Sequence, residues 1–269
     1  MLKIFVFCLV ALTYFSSSNG NVVAPRTCGG RVFVDKPIVI DAPIHDDCIW
    51  EFQTKDDRIL LFTLVDGNLK EAQEFFKIHD GLDSESPILL VENQKILERS
   101  RKDLPASVYT TQSTASVRFT KAPTSNLKLK IEKAVNCPAN VGAQTECGRI
   151  VDTTSCYCAD YNKRSQTDQK TVCSNIGFYM LALESRTEED LIAFAWGTGF
   201  QFWTSLSYSN GYWIWESTNV PINGGYFNWA IGQPDGSGNC VHLNAVTSKG
   251  GWNDDSCATP HEAVCEGQP

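Results

Sequence analysis

The sequence predicts two domains, an all-β antiparallel sandwich followed by a mixed α+β unit that carries a long polar loop, and three observations predict them. Short β-rich runs separated by Gly, Pro, Asp or Asn clusters fill the first half of the chain. Cysteine use then changes abruptly, with only Cys28 and Cys48 between Asn21 and Lys133 but eight cysteines from Cys137 to Cys265. Beyond that change a helical pattern sits among aromatic-rich runs, which no single β-sandwich would show.

In chain order, Met1 to Gly20 has Lys3 near its start, an apolar run from Ile4 to Phe15 and small residues at Ser18 and Gly20. That is the layout of a signal peptide cleaved before Asn21, so the mature protein is expected to be secreted and extracellular. No later run is long and apolar enough to predict a membrane span. Strands are predicted at Arg31–Val34, Cys48–Phe52, Ile59–Leu64, Phe75–Ile78, Ser116–Phe119 and Leu127–Ile131, giving a first domain over 21–133. Ala134-Val135-Asn136, just before Cys137-Pro138, reads as a short linker, and residues 137–269 form the second domain.

In that second domain, Ser185 followed by Glu188 predicts a capped helix running to Trp196, with Leu191, Phe194 and Ala195 facing inward. Phe202-Trp203-Thr204, Tyr212-Trp213-Ile214-Trp215 and Phe227-Asn228-Trp229 follow as aromatic strands or turns. Trp203, Trp215, Trp229 and Trp252 are read as core and loop scaffold. His242, two residues after Cys240, is read as a strand residue, and nothing selects Tyr226 or Trp213 as a ligand contact.

Composition excludes several classes. The chain is 42% hydrophobic and 20% charged, which belongs to a globular protein, and its net charge of −8 argues against nucleic acid or anionic lipid as partner. Losing Cys8 with the signal leaves an even set of ten cysteines, consistent with complete pairing in an oxidising compartment. Zinc is disfavoured, because Cys156-Tyr157-Cys158 has no matching cluster and the four histidines, at 45, 79, 242 and 261, are scattered. No Asn-x-Ser/Thr sequon occurs. Gly-x-Ser-x-Gly, His-Glu-x-x-His and nucleotide-binding glycine loops are also missing, so no enzyme is predicted.

The densest chemistry lies in Gln233-Pro234-Asp235, Cys240, Trp252-Asn253-Asp254 and Cys257. Calcium takes oxygen ligands from carboxylates and amides, and Gln233, Asp235, Asn253 and Asp254 offer them with two charges to offset the ion. These four residues are the candidate metal and carbohydrate ligands.

Two resemblances follow from these motifs. Cys28-Gly29-Gly30, Cys48-Ile49-Trp50, His79-Asp80-Gly81 with Pro87-Ile88-Leu89-Leu90, and Val117-Arg118-Phe119 resemble a CUB domain over roughly 28–133. That resemblance implies a Cys28–Cys48 disulfide and a module for protein contacts. The usual second cysteine pair is absent, with Glu74-Phe75-Phe76 in its place, and Thr120-Lys121-Ala122 lacks the late carboxylate of calcium-binding members, so Glu74 and Asp80 are read as surface or turn residues.

Residues 137–266 resemble a C-type lectin-like domain. The resemblance rests on Cys173, Leu181-Ala182-Leu183-Glu184-Ser185, Phe202-Trp203-Thr204-Ser205-Leu206, Asn228 through Asp235, and Gly251-Trp252-Asn253-Asp254 with Cys257. It implies Cys173–Cys265 and Cys240–Cys257 disulfides. Cys137 with Cys147 would mimic the family's extra hairpin, although the sequence leaves the connectivity of Cys137, Cys147, Cys156 and Cys158 open.

The resemblance further implies a calcium cofactor and glycan partners, with Gln-Pro-Asp of galactose/N-acetylgalactosamine type and the reversed Glu-Pro-Asn of mannose type. Two departures are plain: Gly238 stands where a further Glu is usual, and no aromatic lies between Asp235 and Cys240. The leading expectation is a secreted calcium-dependent lectin, similar to invertebrate defence lectins in innate immunity. Its alternative is a calcium-independent protein-interaction module.

Overall fold

A computed structural model of the chain describes residues 22–23, 28–41, 46–66, 75–89, 107–120, 127–138, 144–148, 153–196, 199–247 and 250–269. The signal-peptide reading of residues 1–20, Glu74, Leu90 and Lys121-Ala122 lie outside them.

The first half forms nine strands: β1 (Val22–Val23), β2 (Gly30–Phe33), β3 (Ile38–Asp41), β4 (Cys48–Gln53), β5 (Arg58–Asp66), β6 (Phe76–His79), β7 (Ser107–Tyr109), β8 (Thr114–Phe119) and β9 (Lys128–Val135). They build a five-stranded sheet, β1-β3-β9-β5-β7, and a four-stranded sheet, β2-β4-β8-β6. Period-two alternation aims Leu60, Phe62 and Leu64 of β5 and Leu129 and Ile131 of β9 at Trp50 and Phe52 of β4 and Ala115, Val117 and Phe119 of β8. The two inner faces therefore share one core, as in a β-sandwich.

The arrangement is not wholly antiparallel. β2 pairs with β4 in parallel, as β1 does with β3. The Cys28–Cys48 disulfide explains the first case, since it ties together the chain just before β2 and the first residue of β4, so both strands leave the bridge in the same direction. The sequence boundary also shifts. Ala134 and Val135 are strand residues opposite Ile59 and Arg58, because β5 is buried on its second face as well, where Ile59 and Leu61 meet Tyr109 and Ala134. Asp80 is a turn residue whose carboxylate accepts the Thr111 N–H (3.0 Å) and hydroxyl (2.6 Å).

The second half adds β10 (Thr145–Gly148), β11 (Cys156–Arg164), α1 (Gln166–Asn175), β12 (Tyr179–Met180), α2 (Arg186–Trp196), β13 (Phe202–Ser209), β14 (Tyr212–Trp215), β15 (Val220–Pro221), β16 (Cys240–Thr247), β17 (Gly250–Asp255) and β18 (His261–Gly267). Its nine strands form one sheet in which β13 pairs with β14, β16 and β18. Ser165 caps α1 by accepting the Asp168 N–H (3.2 Å). Ser185 accepts the Glu188 N–H (3.1 Å), and the Glu188 side chain accepts the Glu184 N–H (2.9 Å). One expectation for α2 fails: Phe194 is 63% exposed, whereas Leu191, Ile192, Ala195 and Trp196 are buried.

Five disulfides are present among the described residues, with Cys28–Cys48, Cys173–Cys265 and Cys240–Cys257 as expected. Among the pairings left open for the other four cysteines, Cys137–Cys147 is not the one formed. Cys137 bonds Cys156 and Cys147 bonds Cys158. Register is the reason: β10 and β11 are antiparallel with Cys147 directly opposite Cys158, and the Val135 N–H bonds the Thr154 carbonyl (2.8 Å), which brings Cys137 beside Cys156. The two halves also touch where Arg58 donates to the Gln268 carbonyl (3.1 Å) and Tyr109 to that of Thr153 (2.7 Å).

Candidate functional site

The site is a long irregular segment between β15 and β16, and aromatic packing holds it against β17. Trp252 is fully buried and meets Trp215, Tyr226 and Trp229 edge-on, at ring-centroid distances of 5.4, 5.7 and 5.8 Å. Its backbone is shared too, since Ala230 N–H bonds the Trp252 carbonyl (2.9 Å) while Trp252 N–H bonds that of Asn228 (3.0 Å). Buried Glu189 of α2 accepts from Tyr226 Oη (2.6 Å) and Asn228 Nδ2 (2.9 Å), and burial first, with the Glu189 hydrogen bond second, raises the Tyr226 pKa. Tyr226 is thus tied into the scaffold.

On this frame the Gln233–Pro234 peptide is cis. Gln233 Oε1 and Asp254 Oδ1 both accept the Asp235 N–H, at 3.1 and 2.9 Å, so two of the predicted ligand oxygens converge on one point. Asp254 is fully buried, and its Oδ2 accepts the N–H groups of Gly236 (3.0 Å) and Gly238 (3.2 Å). One carboxylate therefore closes the whole 235–238 turn. Asp235 is exposed, and its Oδ1 accepts the Ser237 N–H (2.9 Å), one of the Ser237 hydrogen bonds that hold its pKa below the ordinary carboxylate range.

Asn253 points elsewhere. Opposite His242 in the β16–β17 ladder, it donates through Nδ2 to His242 Nε2 (3.2 Å) and to the Asp254 carbonyl (3.0 Å). The structure thus brings Gln233, Asp235 and Asp254 together around one turn and sets Asn253 on the adjacent face, as strand alternation requires. Sequence reading missed the role of Gly238. A Cβ there would lie 1.8 Å from the Asp255 carbonyl oxygen and 2.4 Å from the Ser256 nitrogen, so the turn seats against backbone where a side chain would have to go.

The donors fit calcium chemistry, with amide and carboxylate oxygens converging beside two negative charges. Asp254 gives part of its charge to three N–H groups, which leaves Oδ1 with one acceptor direction in use. The position that would add a third carboxylate is closed by backbone contact.

Residues 162–267 match the family model described as the lectin C-type domain, and a C-type lectin domain occupies that segment. Human C-type lectin domain family 10 member A is 30% identical over 42% of this chain and 36% of its own length. Rat asialoglycoprotein receptor 1 is 26% identical over 66% of this chain and 62% of its own length. The chain thus spans 36% to 62% of the length of these two relatives. A crystal structure of the C-type lectin domain of murine dendritic cell inhibitory receptor 2 in complex with N-glycan aligns with a TM-score of 0.41 and 24% identity, covering 48% of this chain and all of that domain. Among the described residues, no helix is long and apolar enough to cross a membrane.

Proposed function

We propose that the chain is a secreted, calcium-dependent carbohydrate-binding protein of galactose/N-acetylgalactosamine type, used in innate defence, with Gln233, Asp235, Asn253 and Asp254 as its ligand set. The observation that carries this reading is the convergence of Gln233 Oε1 and Asp254 Oδ1 on the Asp235 N–H inside a segment that matches a lectin domain. Relatives named as asialoglycoprotein receptors support a glycan ligand.

Calcium would be held by Gln233, Asp235 and Asp254, with Asn253 beside them, and would supply a positive centre for neighbouring sugar hydroxyls. The chain's own groups set the choice of sugar. Gln233 carries an amide that can donate as well as accept, whereas the Asp235 carboxylate only accepts, so a diol must match that polarity at both ends. Backbone N–H groups of Asp235, Gly236 and Gly238 donating to the Asp254 carboxylate hold the turn in shape before any ligand arrives, which limits the ordering that binding requires.

Residues 21–133 are proposed as a CUB-like module that contacts protein partners, supported by the two facing sheets and the Cys28–Cys48 bridge. A second reading, a calcium-independent protein-interaction module, is favoured by two observations: each Asp254 oxygen already accepts a backbone N–H, and Gly238 admits no side chain. A glycan array probed with the purified chain, with calcium and after chelation, tests the choice. Galactosides retained only with calcium support the first reading, and an array blank in both conditions supports the second.

A further inference from the structure

The histidines that are scattered in sequence meet in the fold. His242 of β16 and His261 of β18 flank β13, and their rings lie 4.4 Å apart between centroids. One ring nitrogen from each and one Asp255 carboxylate oxygen lie within 4.8 Å of one another. Both histidines are more than nine-tenths buried, and Nδ1 of each is enclosed with no hydrogen-bond partner among the described residues. An enclosed ring nitrogen without a partner is an unmet bond, which a metal ion can fill.

We propose that His242, Asp255 and His261 form a binding site for a divalent transition metal of the zinc class, separate from the oxygen ligands of the Gln233–Asp254 turn. The donor chemistry selects the ion, since two imidazoles and a carboxylate suit zinc with an open fourth position, whereas calcium asks for oxygen throughout.

The surroundings fix the ligands. His242 follows Cys240 by two residues and Asp255 precedes Cys257 by two, so the Cys240–Cys257 bridge clamps both arms. Trp203 walls one side, its ring 5.7 Å from His242 and 4.8 Å from His261, while its Nε1 donates to the carbonyls of Arg164 (3.1 Å) and Thr259 (3.2 Å). Asp255 Oδ1 accepts the Ser256 N–H (2.6 Å) and Thr259 hydroxyl (3.1 Å), which orients the carboxylate and leaves Oδ2 toward His261 Nε2 at 3.1 Å.

The test uses the full chain, stripped with chelator and held in excess calcium so that the oxygen site cannot account for uptake. Zinc titrated calorimetrically should bind at one ion per chain, and cobalt should give the visible absorption of a low-coordinate nitrogen and oxygen site. Asp255→Asn, at a half-exposed position, should weaken zinc by more than about tenfold. Should that variant fold poorly, the unaltered chain still decides the matter: zinc must shift the ring-nitrogen resonances of two of its four histidines. No zinc uptake, uptake unchanged in folded Asp255→Asn, or histidine resonances that do not move would overturn the proposal.

Discussion

The two halves of the molecule solve different problems with different means. The 22–135 sandwich takes its order from alternating apolar residues across two sheets, with one disulfide among its described residues. The 137–267 half carries four disulfides, buried carboxylates at Glu188, Glu189, Asp254 and Glu266, and a tryptophan hub beneath an irregular segment. Regular strands can satisfy their backbone through ladders alone. A binding loop cannot, so its N–H and C=O groups need side-chain partners and covalent ties.

The sharpest way to break that contrast is a matched pair of core truncations. Trp252→Ala and Phe52→Ala should each cost about 3–5 kcal/mol in denaturant unfolding, as large buried aromatics do. Only Trp252→Ala should also abolish ligand binding by the fraction that remains folded, because Trp252 carries the loop as well as the core.

Next in size is Asp254→Asn, which trades a carboxylate that accepts three N–H groups for an amide whose nitrogen faces donors. A loss of about 2–3 kcal/mol is expected, together with loss of calcium response in thermal melts. Gly238→Glu is its complement. It adds the carboxylate the loop lacks, yet the clash with the Asp255–Ser256 backbone should lower stability and fail to tighten calcium in calorimetry.

A pH experiment separates the halves by buried charge. Burial pushes Glu188 up to about 8, well above an unfolded carboxyl. Between those values the folded chain holds a proton that the unfolded chain has released, so stability falls as pH rises from about 4.5 to 8, by at most about 1.4 kcal/mol per unit from this group. Glu188→Gln should flatten that decline in urea titrations at a series of pH values.

The smallest stability change should come with the largest change in selectivity. Gln233→Glu with Asp235→Asn exchanges donor and acceptor at the two ends of the turn while keeping the summed charge. Galactose over mannose should reverse by about 1–3 kcal/mol on a glycan array.

How much of this was legible follows from what each element buries. β4, β8 and β9 announced themselves through alternation, β5 through a near-continuous apolar run, and the loop through its oxygen-bearing residues. α1 carries no apolar stripe that could announce it, because its buried positions are Gln166, Gln169 and Cys173, and the glutamines bond backbone carbonyls at Thr204 and His261 instead of packing apolar surface. Phe194 was misread because hydrophobic identity says nothing about which side of α2 Ile192 and Trp196 will claim. The Cys147–Cys158 bridge depends on β10–β11 register, and the His242–His261 meeting depends on both strands pairing with β13. The contacts with β13 are not local in sequence. Gly238 shows the same limit, since its contact with the Asp255–Ser256 peptide exists only once β17 is in place.

The most direct test of the proposed lectin activity is calorimetric titration of the purified chain with N-acetylgalactosamine, first with calcium saturating and then after chelation. Heat of binding that is present with calcium, vanishes on chelation and is much weaker with mannose is the result predicted. Equal binding in both conditions, or none with calcium shown to be bound, would contradict it.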